Sequence, residues 1–351
     1  MQRLKIRKGD DLHVHFRSGD VLRLVLPFTV GQFGRALVMP NTRPKPILCA
    51  ADACEYKAEI LHEVNSMGSL FQTATLFEPL MTIQVNADTT PEIVREARKV
   101  GVVAGKIYPE GVTTNSDNGV RDYKQLFPVF AEMEKVGLAL SLHGEMPDHD
   151  IPGLEKEVRF LEVLERIAPA FPDLRIVLEH ITTLQAVECV ESLSVNVAAT
   201  ITVHHLYLTL DHVIGYHRST KGLMQPHNFC KPVAKEESDR IILLSAATSG
   251  NPKFFYGGDS APHPRGGKEC ADVCAGVFNA PVALPLLAEK FDEEGKLKRL
   301  ENFVSRFGAE FYGLPLNQES VELTEEEWEV PRCYAGVVPF LAGQKLSWKV
   351  I

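Results

Sequence analysis

Asp11-Leu12-His13-Val14-His15, close to the start of the chain, decides how the rest is read. Leu12 and Val14 suit a buried strand. Alternate side chains of an extended backbone share a face, so His13 and His15 point the same way. Two neutral imidazoles so placed can hold one divalent metal ion, although paired histidines also occur on ordinary surfaces. The remainder of the chain decides between these readings. Lys106 stands in Gly105-Lys106-Ile107-Tyr108 and His143 in Ser141-Leu142-His143-Gly144-Glu145. His180 stands in Leu178-Glu179-His180 and Asp259 in Gly257-Gly258-Asp259-Ser260. Each lies near the end of an apolar, β-branched or aromatic run.

Eight such runs are legible, at 10–16, 35–41, 70–77, 102–108, 138–143, 175–180, 195–203 and 254–259. Most lack strict polar alternation, as strands covered on both faces should. Helical spacing fills most of the intervals. In 90–100, Thr90 can cap, Pro91 suits the first turn and Gly101 follows the end. In 123–136, Leu126, Val129, Phe130 and Met133 form an apolar stripe that Gly137 ends. Eight alternations predict a closed (β/α)8 TIM-type barrel over residues 1–351, with 317–351 as a short C-terminal appendage. In that appendage Thr324–Glu329 reads as solvated, and 337–343 and 346–351 as short strands around a glycine turn.

Barrel enzymes draw their active sites from the C-terminal ends of the strands. His13, His15, Asn41, Lys106, His143, His180 and Asp259 fall at such ends. The long segment 204–234 carries His204, His205, His212, His217 and His227 without regular ligand spacing, so these read mostly as surface or packing residues.

Composition removes other classes. Net charge is -9, with 37 Lys and Arg against 46 Asp and Glu. The one basic cluster, Lys5, Arg7 and Lys8, is too short for a nucleic-acid footprint. No apolar run approaches the ~18 residues that a membrane span needs. Seven cysteines without a CxxC spacing point to a reducing, cytoplasmic setting; Cys270 and Cys274 are spaced as on one helix face.

The chain resembles the amidohydrolase superfamily, and within it the dihydroorotase family of the short, single-domain type. The matching motifs are Asp11–Arg17, Met39-Pro40-Asn41-Thr42, Lys106-Ile107-Tyr108-Pro109, Thr113-Thr114-Asn115-Ser116, His143-Gly144-Glu145, Glu179-His180 and Gly258–His263. Asn279-Ala280-Pro281 and Phe340-Leu341-Ala342-Gly343 extend the match, and Phe229-Cys230-Lys231-Pro232 resembles the fungal members.

The resemblance implies two zinc ions. His13, His15 and Asp259 would bind one, His143 and His180 the other, and Lys106 would bridge them as N6-carboxylysine. The chemistry is sound on its own terms. An ammonium repels a metal, whereas a carbamate offers two anionic oxygens that span a metal pair about 3.5–4 Å apart. The resemblance further implies that Arg17, Asn41 and His263 bind a substrate carboxylate. Main-chain groups at Lys231 and Ala275 would contact a dihydropyrimidine ring, and Thr113 and Thr114 would lie in a lid. Asp259 would move the proton. The expected activity is the reversible cyclisation of N-carbamoyl-L-aspartate to (S)-dihydroorotate in pyrimidine synthesis, by a homodimer. Two rival readings are another cyclic-amide hydrolase such as a hydantoinase, and a metal-free barrel kept as a binding subunit. A carboxylate clamp discriminates against the first, and a complete ligand set against the second.

Overall fold

Each barrel strand is short and buried on both faces, and each pairs in parallel with the next in sequence. The structure, a computed structural model, describes residues 2–67, 76–113, 116 and 118–351. After a first strand β1 (Arg3–Arg7), the barrel runs through β2 (Gly9–Val14), β3 (Phe33–Val38), β4 (Glu78–Gln84) and β5 (Ala104–Ile107). It continues through β6 (Ala139–His143), β7 (Ile176–Glu179), β8 (Val197–Ile201) and β9 (Phe254–Tyr256). The Asp259 amide donates to the His13 carbonyl at 2.8 Å and the His15 amide to Ser260 at 3.0 Å, which closes the ring.

Helices α1 (Gly19–Gln32), α2 (Ala50–Ser66), α3 (Pro91–Lys99), α4 (Phe127–Val136), α5 (Lys156–Ala170) and α6 (Leu184–Ser192) separate β2 to β8. The short α7 (Leu210–Ile214) and the longer α8 (Glu237–Ser249) follow β8, and α9 (Arg265–Lys268), α10 (Ala283–Glu293) and α11 (Phe307–Tyr312) follow β9. The eight alternations read from the sequence are therefore the fold. Thr90 caps α3 through the Ile93 amide, and Gly137 ends α4 at φ 70°. The stripe Leu126, Val129, Phe130 and Met133 is buried.

The strand expected at 70–77 is a correction. Residues 70–75 lie outside the described part, and the third barrel strand is β4, which starts at Glu78. Pro79 disguises it, because a proline inside a run argues against a central strand. Here it is only the second residue, opposite Ala36. Residues 324–329 are solvated at Glu325, Glu327 and Glu329, as expected, and they are also part of a strand. They belong to β10 (Ser320–Glu329), which pairs antiparallel with β1 and with β11 (Lys345–Val350). Residues 337–343 form turns instead of a strand. Cys270 and Cys274 do not share a helix face, since α9 ends at Lys268.

A small cluster fills the barrel: Leu12, Leu37, Leu80, Ala104, Ala139, Val177, Ala198 and Phe255, one from each strand, with Met39 and Tyr312. A larger shell of apolar residues seals strands against helices. Below the cluster, Arg35 forks onto Asp10, with both nitrogen–oxygen distances at 2.8 Å and both side chains buried. Removing one member of such a pair strands the other charge in a dry interior. Asp10→Ala is expected to lower the unfolding free energy by about 3–5 kcal/mol in urea titration. A loss of a few tenths would show that Arg35 reaches water instead.

Candidate active site

Counting along the strands from the apolar layer places the site. Alternate residues face inward. Two residues beyond that layer stand Met39, Thr82, Lys106, Ser141, Glu179, Thr200 and Gly257; four beyond stand Asn41, Gln84, His143 and Asp259. The first barrel strand breaks this count. Leu12 faces the interior and Val14 packs in the outer shell, yet His13 and His15 turn inward. A register shift between Asp11 and Val14 accounts for it. An irregularity of this kind re-aims side chains at a barrel rim.

One cleft of about 350 Å³, including its open mouth, is lined by His13, His15, Arg17, Asn41, Thr113, His143, His180, Lys231, Asp259 and Ala275, together with Tyr108, Ala261 and Gly276. Of the residues singled out in the sequence, Lys106 lies beneath the cleft, with its nitrogen 5.3 Å from the Tyr108 ring centre. His263 stands behind Arg17, and Thr114 lies outside the described residues.

The ligating atoms converge. His15 Nε2 is 3.1 Å and His13 Nε2 is 3.5 Å from Asp259 Oδ1. His13 Nδ1 donates to Glu179 Oε2 at 2.9 Å, which leaves Nε2 as the ring's lone-pair nitrogen. Glu179 also accepts from Thr200 at 2.6 Å and Ser141 at 2.5 Å; burial raises its pKa, but the neighbouring His13 and Lys106, and then the hydrogen bonds from His13 and Ser141, bring it down to about 2. His143 Nε2 donates to Glu145 at 2.7 Å, and the His143 and His180 rings lie 4.7 Å apart. Burial, with the nearby positive groups, lowers the pKa of His15 and His180 well below the usual histidine value, so both rings are neutral.

Lys106 is fully buried, and its nitrogen has no hydrogen-bond partner among the described residues. Burial brings its pKa down to about 8 against the pull of Glu179 and Asp259. A bare buried amine among neutral imidazoles and two carboxylates suits a group that still has something to bind. The donor set therefore fits a pair of divalent ions.

Backbone conformation marks the same residues. Arg17, His180 and Asp259 have φ of 62°, 42° and 43°. Left-handed conformations at non-glycine residues cost about 1–3 kcal/mol each and gather at functional sites. Gly258 is required by close approach, because a Cβ there would sit 2.6 Å from the Tyr256 hydroxyl and 2.7 Å from Asp11.

Arg17 donates to the Pro262 carbonyl at 3.2 Å and lies 3.1 Å from His263 Nε2. The same Nε2 is 3.1 Å from the Ala275 carbonyl. One nitrogen either accepts from Arg17 or donates to Ala275, so this corner has two hydrogen-bond arrangements. Burial first, and Arg17 second, bring the His263 pKa down to about 3. Asn41 bonds the side chain of His15.

A second cluster, His204, His205 and Cys230, is as compact as the first and equally buried. Its protons argue against a metal. The Asn279 amide donates both to the Gly258 carbonyl at 2.6 Å and to His204 Nδ1 at 2.8 Å, which leaves the His204 proton on Nε2. Thr202 bonds His205 Nδ1, and His205 Nε2 donates to the Pro232 carbonyl at 3.1 Å. Burial pushes the Cys230 thiol up to about 12. His227 pairs with Glu269 at the surface, and His212 stacks on His217.

Glu179, Glu145, Ser141, Thr200 and Tyr108 were not read as site residues from the sequence. The available signal was a lone carboxylate ending an otherwise apolar strand, in Ile176–Glu179.

A closed (β/α)8 barrel with this layer of imidazoles, lysine and carboxylate at its strand ends is an amidohydrolase-type barrel. No protein-family model matches the chain. It is 45% identical over 356 residues to a dihydroorotase of Vibrio vulnificus, covering 100% of both chains. The crystal structure of Saccharomyces cerevisiae dihydroorotase in complex with 5-fluoroorotic acid superposes with a TM-score of 0.90 at 36% identity, over 100% of this chain and 99% of the other. The chain belongs to the dihydroorotase family. An L-hydantoinase of Arthrobacter aurescens shares the fold, with a TM-score of 0.78 at 17% identity over 99% of this chain and 83% of the other.

The low pKa of Lys106 has a kinetic consequence. Only the free amine can take up carbon dioxide, and it prevails above about pH 8. His15 and His180 do not titrate in that window. Metal-stripped protein given a divalent metal and the same concentration of dissolved carbon dioxide at each pH should therefore recover metal about an order of magnitude faster near pH 9 than near pH 6.5. Equal rates would detach metal uptake from Lys106.

Proposed function

We propose that the chain catalyses the reversible cyclisation of N-carbamoyl-L-aspartate to (S)-dihydroorotate with loss of water, as a cytoplasmic homodimeric enzyme of pyrimidine synthesis. The observation that carries this reading is one cleft joining a carboxylate-binding corner, Arg17 with Asn41 and His263 beside it, to Asp259 and the imidazole cluster. A carboxylate clamp has no purpose for a simple hydantoin. Seven unpaired cysteines support the reducing compartment. Among the described residues no helix is long and apolar enough to cross a membrane. The substrate is a small molecule, with no part for a nucleic acid.

His13, His15 and Asp259 would hold one zinc ion and His143 and His180 a second, and Lys106, as N6-carboxylysine, would contribute to holding both. When bound, they would supply water activation near neutral pH and polarise the amide carbonyl. The chain's own groups do the rest. Arg17 offers a planar fork to the substrate carboxylate, a bidentate pairing that fixes the ring's orientation. Main-chain groups at Lys231 and Ala275 would hold the ring edge, and Thr113 with Thr114 would close over it. In hydrolysis, Asp259 takes a proton from the attacking water and passes it to the ring nitrogen as the carbon–nitrogen bond breaks. In cyclisation, Asp259 takes the proton of the attacking ureido nitrogen and returns it to the departing oxygen. Burial raises the Asp259 pKa, which favours proton acceptance.

The direct test is a spectrophotometric assay of dihydroorotate hydrolysis with metal analysis of the same preparation. Activity on hydantoin without activity on dihydroorotate would overturn the reading. Asp259→Asn separates ligation from proton transfer. Four histidine ligands and Lys106 remain, so much of the metal should stay, while turnover falls about 10²–10⁴-fold or more in both directions. A metal-replete variant with near-normal turnover would move the shuttle to another residue, with His263 next to test.

Arg17→Met keeps part of the stem and removes the fork. Dihydroorotate affinity should fall by about 2–5 kcal/mol, the range for truncating one partner of a buried charge pair. Loss of zinc with unchanged substrate affinity would make Arg17 structural.

A further inference from the structure

Lys268, at the end of α9, is 2% exposed, an unusual place for an ammonium without a carboxylate. It donates to three main-chain carbonyls: Phe229 at 2.9 Å, Cys274 at 2.8 Å and Gly276 at 2.7 Å. An ammonium has three donors, so all are used. The acceptors come from two separate stretches of chain, and those stretches supply Lys231, Ala275 and Gly276 to the cleft wall. The Gly276 amide also donates to the Phe229 carbonyl at 2.9 Å, which joins the two stretches directly.

Peptide geometry carries this to Ala275. In a trans peptide the carbonyl and the next amide point in opposite directions. The Cys274 carbonyl points at Lys268, so the Ala275 amide points away from it. The Gly276 amide points at Phe229, so the Ala275 carbonyl points away from Phe229, where His263 meets it. Both polar groups of Ala275 are thus aimed by this clamp. The local backbone needs such holding: Gly276 has φ 148°, and a Cβ there would lie 2.5 Å from the Ala261 carbonyl.

We propose that Lys268 is a positioning residue for substrate recognition: its ammonium aims the main-chain edge of Ala275 at the ureide edge of the substrate ring. The proposal rests on the dihydroorotase function, in which main-chain groups at Ala275 and Lys231 contact that ring. The ammonium itself lies behind the wall and acts through the backbone.

The test uses the metal-loaded enzyme and two probes, 5-fluoroorotate, which carries both a carboxylate and a ring, and acetate, which carries the carboxylate alone. Lys268→Met should weaken 5-fluoroorotate binding about tenfold or more, the scale of a lost charge-assisted hydrogen bond. Its acetate inhibition constant and zinc content should stay unchanged. A purely structural role would lower the melting temperature and leave the ratio of the two affinities as in the wild type, which would overturn the proposal. Lys268→Gln keeps two N–H donors without the charge and serves where the Met variant does not fold. An intermediate loss for 5-fluoroorotate alone supports the proposal, and an unchanged affinity overturns it. Wild-type enzyme that failed to bind 5-fluoroorotate would sink the substrate reading itself, a different result from a variant that binds as well as the wild type.

Discussion

Closing eight parallel strands into a ring leaves each strand one inward-facing row, and everything in this molecule is arranged along those rows. The row begins with one apolar residue per strand, from Leu12 round to Phe255. Side chains of this kind fill a barrel and leave no pore. Two and four residues further, the same rows carry Lys106, Glu179, His143 and Asp259. Stability and chemistry are thus stacked on one axis, separated by the pleat of a strand. The first barrel strand alone departs from the count, and its irregularity between Asp11 and Val14 brings two histidines inward in place of one.

Stacking a polar layer on a dry one has an electrostatic consequence. The imidazoles His13, His15 and His180 are held neutral by burial, while Glu179 stays ionised beside His13 and Lys106 and is bonded by His13, Ser141 and Thr200. Glu179 therefore ties four strands of the ring together: its own β7, β2 through His13, β6 through Ser141 and β8 through Thr200. Lys106 Nζ, like His180 Nδ1 and Gln84 Oε1 in the same layer, finds no hydrogen-bond partner among the described protein atoms. A buried polar group without a partner costs about 1–3 kcal/mol. A group that engages the Lys106 nitrogen would offset this cost, so binding there would add to the stability of the layer.

The barrel and its site were legible in the sequence because both obey short periods. Runs of Val, Ile and Ala with polar residues at their ends survive as a pattern even without coordinates, and His13, Lys106, His143, His180 and Asp259 all sit at such ends. What escaped depends on long-range partners. The third barrel strand begins Glu78-Pro79, which reads as a turn until Ala36 is seen opposite. Residues 324–329 are too charged to suggest a strand, and only pairing with Arg3–Arg7 and Lys345–Val350 makes them one. Lys268 gave no signal at all, because its partners are carbonyls, and carbonyls are the same at every position.

The chain's two ends also serve the site without entering it. The sheet of β1, β10 and β11 packs along α10 through β11, with Trp348 fully buried, and none of its residues lines the cleft. The segment between β10 and β11 does something different. Its Gly336 carbonyl accepts from the Arg265 amide at 2.9 Å, and its Phe340 amide donates to the Phe278 carbonyl at 2.7 Å. Arg265 and Phe278 bracket the loop that holds Lys268 and Ala275, and His263 lies just before it. A loop of that length, crossing the barrel mouth with little regular structure, would otherwise sample many conformations. Anchored at both ends by the C-terminal segment and in the middle by Lys268, it can present Ala275 at a fixed position. The turns at 334–340 thus back this loop from outside, and their apolar residues Val337 and Phe340 are buried.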